Sequence, residues 1–171
     1  MKQIIFFWNR MYYGLFDYHS RTQMFLFKIV GRLTLFLSQK IDTAKRDEWR
    51  VNYDVAARTL SSDTKQSTAI RIADVTMIAF TALLTWTFIN LLSMFFPGVA
   101  LYHVDKITFL IITAIPCMSI NYLILWKKDR YLRYFKLFQK ASRKSNMIWI
   151  FISMMCLVLA ITMFIISLIV M

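Results

Sequence analysis

MIWIFISMMCLVLAITMFIISLIVM, residues 147 to 171, runs for 25 residues without a charged side chain. A helix rises about 1.5 Å per residue, so roughly 20 apolar residues cross a hydrocarbon core about 30 Å thick. The stretch therefore reads as a membrane-crossing helix. Two upstream stretches pass the same test, Val75 to Phe96 and Ile107 to Trp126, both free of charged side chains. In hydrocarbon a backbone must satisfy its own hydrogen bonds, and nothing here alternates with a period of two, which excludes a barrel and predicts three transmembrane helices in an all-α protein. The composition agrees: 58% hydrophobic and 16% aromatic residues, with only three Gly and two Pro, do not describe a soluble domain of 171 residues.

Charge orients the three helices. The 97 to 106 loop, PGVALYHVDK, carries one Lys and one Asp, whereas KKDRYLRYFKLFQKASRKS, residues 127 to 145, carries eight Lys or Arg against one Asp. The positive-inside rule then predicts a cytoplasmic 127 to 146 connector, a cytoplasmic amino terminus and an external carboxy terminus. The net charge of +12 points to anionic lipid headgroups before nucleic acid, which is not expected as a partner. On a helical wheel Arg130, Arg133, Lys136, Lys140, Arg143 and Lys144 share one side, with Tyr131, Tyr134, Phe135, Phe138 and Ala141 opposite and Leu137 as the exception. This predicts an amphipathic connector whose cations meet lipid or a partner.

Upstream, residues 1 to 40 are expected to form interfacial amphipathic helices. In MFLFKIVGRLTLFL, residues 24 to 37, nine Leu, Ile, Val and Phe favour insertion, by about 0.3 to 0.6 kcal/mol each. Lys28 and Arg32 oppose it by about 2.5 to 3.5 kcal/mol each, so a helix lying flat with its cations at lipid headgroups is preferred to a fourth span. In the first 18 residues Gln3, Asn9, Arg10 and Asp17 share an arc opposite Ile4, Phe7, Trp8, Met11, Leu15, Phe16 and Tyr18, which predicts an in-plane helix ended by Gly14 and a DYHS turn. Residues 41 to 68 are expected to be a cytoplasmic helix and linker. Within them the charge-balanced 42 to 60 stretch offers a stripe of Trp49, Tyr53, Ala56 and Leu60 to a protein partner, and Ser67 or Thr68 caps the next helix. Residues 69 to 171 make the three-span domain.

Chemistry-bearing constellations are few. His19 and His103 are expected on opposite membrane faces, and His103 with Asp105 supplies too few ligands for a metal. Cys117 and Cys156 sit in apolar runs without CxxC spacing, and no phosphate loop, G-x-S-x-G or H-E-x-x-H occurs. No enzyme activity and no cofactor are expected, and the start of the chain has no cleavable-signal pattern. Inside the spans, Asn90 and Asn121 are expected to face protein or water, and Thr113 and Asn121 to serve the carbonyl that Pro116 leaves without a donor. Asp74 is expected to pair with Arg71.

The segment IPCMSINYLILWKKDRYLRYFKLFQK resembles the carboxy-terminal part of short, poorly characterised bacterial multi-span membrane proteins. The likeness lies in Ile115, Pro116, Asn121 and Tyr122, followed by Lys127, Lys128, Tyr131 and Phe135. It implies a bacterial inner membrane and no site residues. In size and topology the chain is similar to membrane effectors of phage defence and to immunity proteins. The sequence therefore leads to the expectation of a homo-oligomeric protein forming a pore or perturbing the bilayer, with an immunity or accessory subunit as the alternative.

Overall fold

The computed structural model describes residues 1–37, 51–52, 67–96 and 105–170. Among them the chain is all helical: α1 (Lys2–Leu37), α2 (Thr68–Phe95), α3 (Lys106–Asn121), α4 (Arg130–Gln139) and α5 (Arg143–Val170). Between α3 and α4 lie a π-helical turn, Tyr122–Trp126, and a 3-10 turn, Lys127–Asp129. Three helical runs are long and apolar enough to cross a membrane: Thr68–Phe95, Lys106–Gln139 and Arg143–Val170. The 42 to 60 helix and the 97 to 104 stretch with His103 lie outside the described residues, apart from positions 51 and 52.

The chain forms two compact units, Met1–Leu15 with Asp74–Met171, and Phe16–Ala73. The division differs from the expected one at residues 40 and 68, because the first fifteen residues pack with the carboxy-terminal helices.

In the first unit the three apolar helices bury several polar side chains and expose many apolar ones, with Ser119 and Thr162 as exposed hydroxyls. Thr81, Thr87, Asn90 and Ser93 are buried on α2, whereas Val75, Phe88, Leu91 and Phe95 are exposed. Such an arrangement suits a lipid surround, where only helix contacts can satisfy a polar group. On α5 the buried residues Asn146, Ser153, Ala160 and Ser167 recur every seventh position. A repeat of seven keeps one narrow seam of a helix against its neighbours, and small residues on it let backbones approach. Along α2 and α3 the contacts run in opposite directions: Thr81 Oγ1 accepts from Asn121 Nδ2 at 2.9 Å and Thr113 Oγ1 accepts from Trp86 Nε1 at 2.9 Å. Asn90 Nδ2 donates to Ser167 Oγ at 3.1 Å and the Trp86 and Phe164 rings lie 5.6 Å apart, so α2 and α5 run the same way.

The apolar core sits where residues 2–15 of α1 seat. Met11, Tyr12 and Leu15 are fully buried together with Met77, Leu125 and Phe135. The expected turn at Gly14 and 17–20 is absent, since α1 is helical throughout. Gly14 serves a close approach instead: a Cβ there would overlap Ser153 Oγ and stand 2.9 Å from the carbonyl oxygen of Trp149. Nor is the face expected for this segment the one observed. Asn9 and Arg10 are buried, while Ile4, Phe6 and Phe7 are exposed. The buried side cuts across both expected arcs, since Met11 and Leu15 are buried beside Asn9 and Arg10 while Gln3 is exposed with Ile4, because the bundle supplies partners for polar and apolar groups alike.

In the second unit, Asp17 accepts a bidentate ion pair from Arg21 at 2.9 Å, and Thr22 and Thr34 bond back to the carbonyls of Tyr18 and Val30. Lys28 and Arg32 are exposed, as are Phe25, Leu26, Val30, Leu33 and Phe36. Ser67 caps α2 by accepting from the Ile70 amide at 3.3 Å, one of the two caps expected.

Candidate functional site at one end of the helices

In the first unit, the amino-terminal ends of α2 and α5 and the turn after α3 meet residues 6–15 of α1, and most of the polar contacts between helices concentrate there. Asp74 Oδ1 accepts from the Tyr12 hydroxyl at 2.6 Å and from Trp126 Nε1 at 3.0 Å. These neutral donors, not the expected Arg71, are its partners. Burial first, and then the hydrogen bond and charge of Asp74, hold the Tyr12 phenol far above its usual range. Tyr131 is pushed up likewise by burial and by the carboxylates of Asp129 and Asp74. The Tyr12 phenol thus stays protonated and acts as a donor.

One turn earlier on α1, Trp8 Nε1 donates to Asn121 Oδ1 at 3.4 Å, and Asn121 Nδ2 donates to the Cys117 carbonyl as well as to Thr81. Asn9 Nδ2 donates to the carbonyls of Ile5 at 2.7 Å and Ile124 at 3.2 Å. The latter lies in the π turn, where the helical bonding pattern shifts by one residue and carbonyls need other donors. Arg130 does similar work at the same turn, its Nη1 reaching the Leu123 carbonyl at 2.9 Å.

Arg10 locks α1 to α4 and α5. Its Nη2 donates to Ser145 Oγ at 3.1 Å and Asn146 Oδ1 at 2.9 Å, and its guanidinium lies 4.4 Å from the Phe138 ring centre and 5.6 Å from those of Tyr13 and Trp149. A planar, weakly hydrated cation stacked on rings is better suited to burial than an ammonium. Ser153 Oγ completes the docking by donating to the Met11 carbonyl at 3.2 Å.

The basic connector is a helix with two faces, shorter than expected. α4 ends at Gln139, so Arg143 and Lys144 belong to the first turn of α5 and not to the same wheel. Its aromatic face is covered by protein: Phe135 and Phe138 are buried and contact Tyr13, and Phe6 packs edge-on to Phe138. Leu137 is exposed, as the wheel indicated. Arg133, Lys136, Lys140, Arg143 and Lys144 are exposed, whereas Arg130 is half-buried on its carbonyl. Lys28 and Arg32 belong to the other unit.

Asn90 and Asn121 are both buried among protein groups, as expected. Neither Thr113 nor Asn121 turns to the carbonyl opposite Pro116. Thr113 donates to Phe109 and Asn121 to Cys117, each one turn back along its own helix. The sequence reading missed Trp8, Arg10, Tyr12, Asp74, Trp126 and Ser153. Two adjacent polar residues, Asn9 and Arg10, inside an aromatic run and the seven-residue spacing on α5 were the available signals. Among the described residues no three His, Cys, Asp or Glu side chains gather as a metal site would need. Compared with protein-family models, curated proteins and solved structures, the chain matches none.

Proposed function

We propose that this chain is a non-enzymatic integral membrane protein that acts by binding, as an accessory subunit within the bacterial inner membrane, with the α4 end cytoplasmic. The observation that carries this reading is the use made of the polar groups in the apolar helices. Asn90, Thr113 and Asn121 are all spent on contacts inside the chain, and the exposed perimeter offers Leu110, Ile115, Phe151, Met155 and Val158. An aqueous conduit needs carbonyls, amides or hydroxyls turned toward it, and this perimeter offers few: Thr162 bonds back to its own helix, which leaves chiefly Ser119. A flat apolar surface suits lateral contact with lipid or with another membrane protein.

The second reading is a homo-oligomer that perturbs the bilayer, and the exposed apolar side chains of residues 25–36 beside Lys28 and Arg32 favour it. Mass measurement in mild detergent together with dye release from liposomes separates the two. Protein that leaves liposomes sealed is expected. A defined oligomer that releases dye would replace the first reading with the second.

A further inference from the structure

The aromatic side of α4 is closed off by α1, which leaves its cationic side as the face open to the surroundings. Lys127 and Lys128 precede it on the 3-10 turn, and both are exposed. Arg133, Lys136 and Lys140 follow at spacings of three and four, which places them in one row along a helix. Arg143 and Lys144 continue the charge into the first turn of α5, where cations oppose the helix dipole. None of these seven cations has an ion-pair or hydrogen-bond partner among the described residues. An electrostatic arrangement of this kind is unfavourable unless anions from outside the chain complete it.

Position selects the kind of anion. The row joins two apolar helices directly: Trp126, which ends the π turn, lies one residue before Lys127, and the apolar run from Met147 starts three residues after Lys144. If those helices cross a bilayer, as the proposed function holds, the row is placed within a few ångströms of the lipid phosphates. We infer that Arg133, Lys136, Lys140, Arg143 and Lys144 form a binding face for anionic phospholipid headgroups, with Arg130 excluded because its guanidinium is committed to the Leu123 carbonyl. Charge complementarity and depth favour lipid over a nucleic acid or an acidic protein, each of which would have to displace headgroups from the same plane.

The test uses the whole protein purified in a neutral detergent. Retained lipid is counted by native mass spectrometry while phosphatidylglycerol or phosphatidylcholine is titrated in. Preferential retention of phosphatidylglycerol is expected, falling at least tenfold when the five residues are replaced by Gln and weakening as salt is raised. Arg130→Gln is expected to lower thermal stability while keeping the lipid preference. Equal retention of the two lipids by the wild-type protein would overturn the inference, as would a five-residue variant with undiminished preference. So would tighter binding of a single-stranded oligonucleotide or an acidic peptide than of phosphatidylglycerol. Should the variant fail to fold, the wild-type comparison of the two lipids at low and high salt decides alone. Failure of the membrane reading itself would show separately, as protein that leaves membranes on alkaline carbonate washing.

Discussion

At the scale of single residues, the polar side chains of α1 behave as keys and not as a wetted surface. Tyr12 illustrates the difference. Its hydroxyl serves the Asp74 carboxylate at 2.6 Å from a buried position, so the folded protein holds the phenol protonated well beyond the pH at which an exposed tyrosine ionises. A folded-state pKa above the unfolded one means that this contribution is complete below about pH 10 and is lost as the pH climbs beyond it, because the unfolded phenol then releases its proton and the folded one does not. Tyr12→Phe is expected to lower stability by about 1.5 to 3 kcal/mol at neutral pH, the usual worth of a hydrogen bond to a charged group. It should also flatten the alkaline decline. Thermal unfolding of both proteins in detergent between pH 8 and pH 11 checks both effects, and parallel curves for the two proteins would remove Tyr12 from this role. Arg10 was legible in the sequence as a polar residue on an aromatic helix, but not as a buried one. Its burial depends on rings contributed by Phe138 and Trp149, more than 120 positions away.

At the scale of elements, the turn between α3 and α4 is where local geometry departs most from regular helix. Lys128 has φ of 57° and Asp129 φ of 51°, the left-handed region that L side chains avoid. Two such residues in succession, after a π turn, break the helix between α3 and α4, and the aromatic face of α4 packs on α1. Left-handed backbone costs an ordinary residue about 1 kcal/mol or more, and glycine little. Lys128→Gly is therefore expected to raise stability by up to about 1 kcal/mol, whereas Lys128→Val, branched at Cβ, should lower it by a similar amount. Chemical denaturation of the detergent-solubilised variants measures the sign. A Gly variant no more stable than the Val one would mean that the turn relaxes to another conformation. Periodicity disclosed that residues 130 to 139 form an amphipathic helix. It could not disclose the break at 140 to 142, because Lys140 and Arg143 continue the same angular pattern by coincidence of spacing.

At the scale of the whole molecule, the contacts sort the first unit into two ends. Tyr12, Asp74, Trp126 and Asn146 mark one, while Asn90 with Ser167 and the Trp86–Phe109 stack mark the other. In a membrane these become opposite faces. Single cysteines replacing Lys2 and Lys136, in a background without Cys117 and Cys156, are expected to react with an impermeant thiol reagent from one side. A cysteine at Lys106 should react from the other. Labelling of positions 136 and 106 from the same side would contradict three crossings.

The existence of three long apolar helices, the two faces of α4 and the burial of Asn90 and Asn121 followed from the sequence by itself. Each depends on composition or periodicity within one helix and on the high free energy of an unsatisfied polar group in an apolar surround. Only the tertiary structure decided which way α1 turns, why position 14 is glycine and who partners Asp74. Those outcomes belong to residues far apart in the chain: the same polar stripe is compatible with water or with protein, and the choice is made by the donors and acceptors that the other helices bring to meet it.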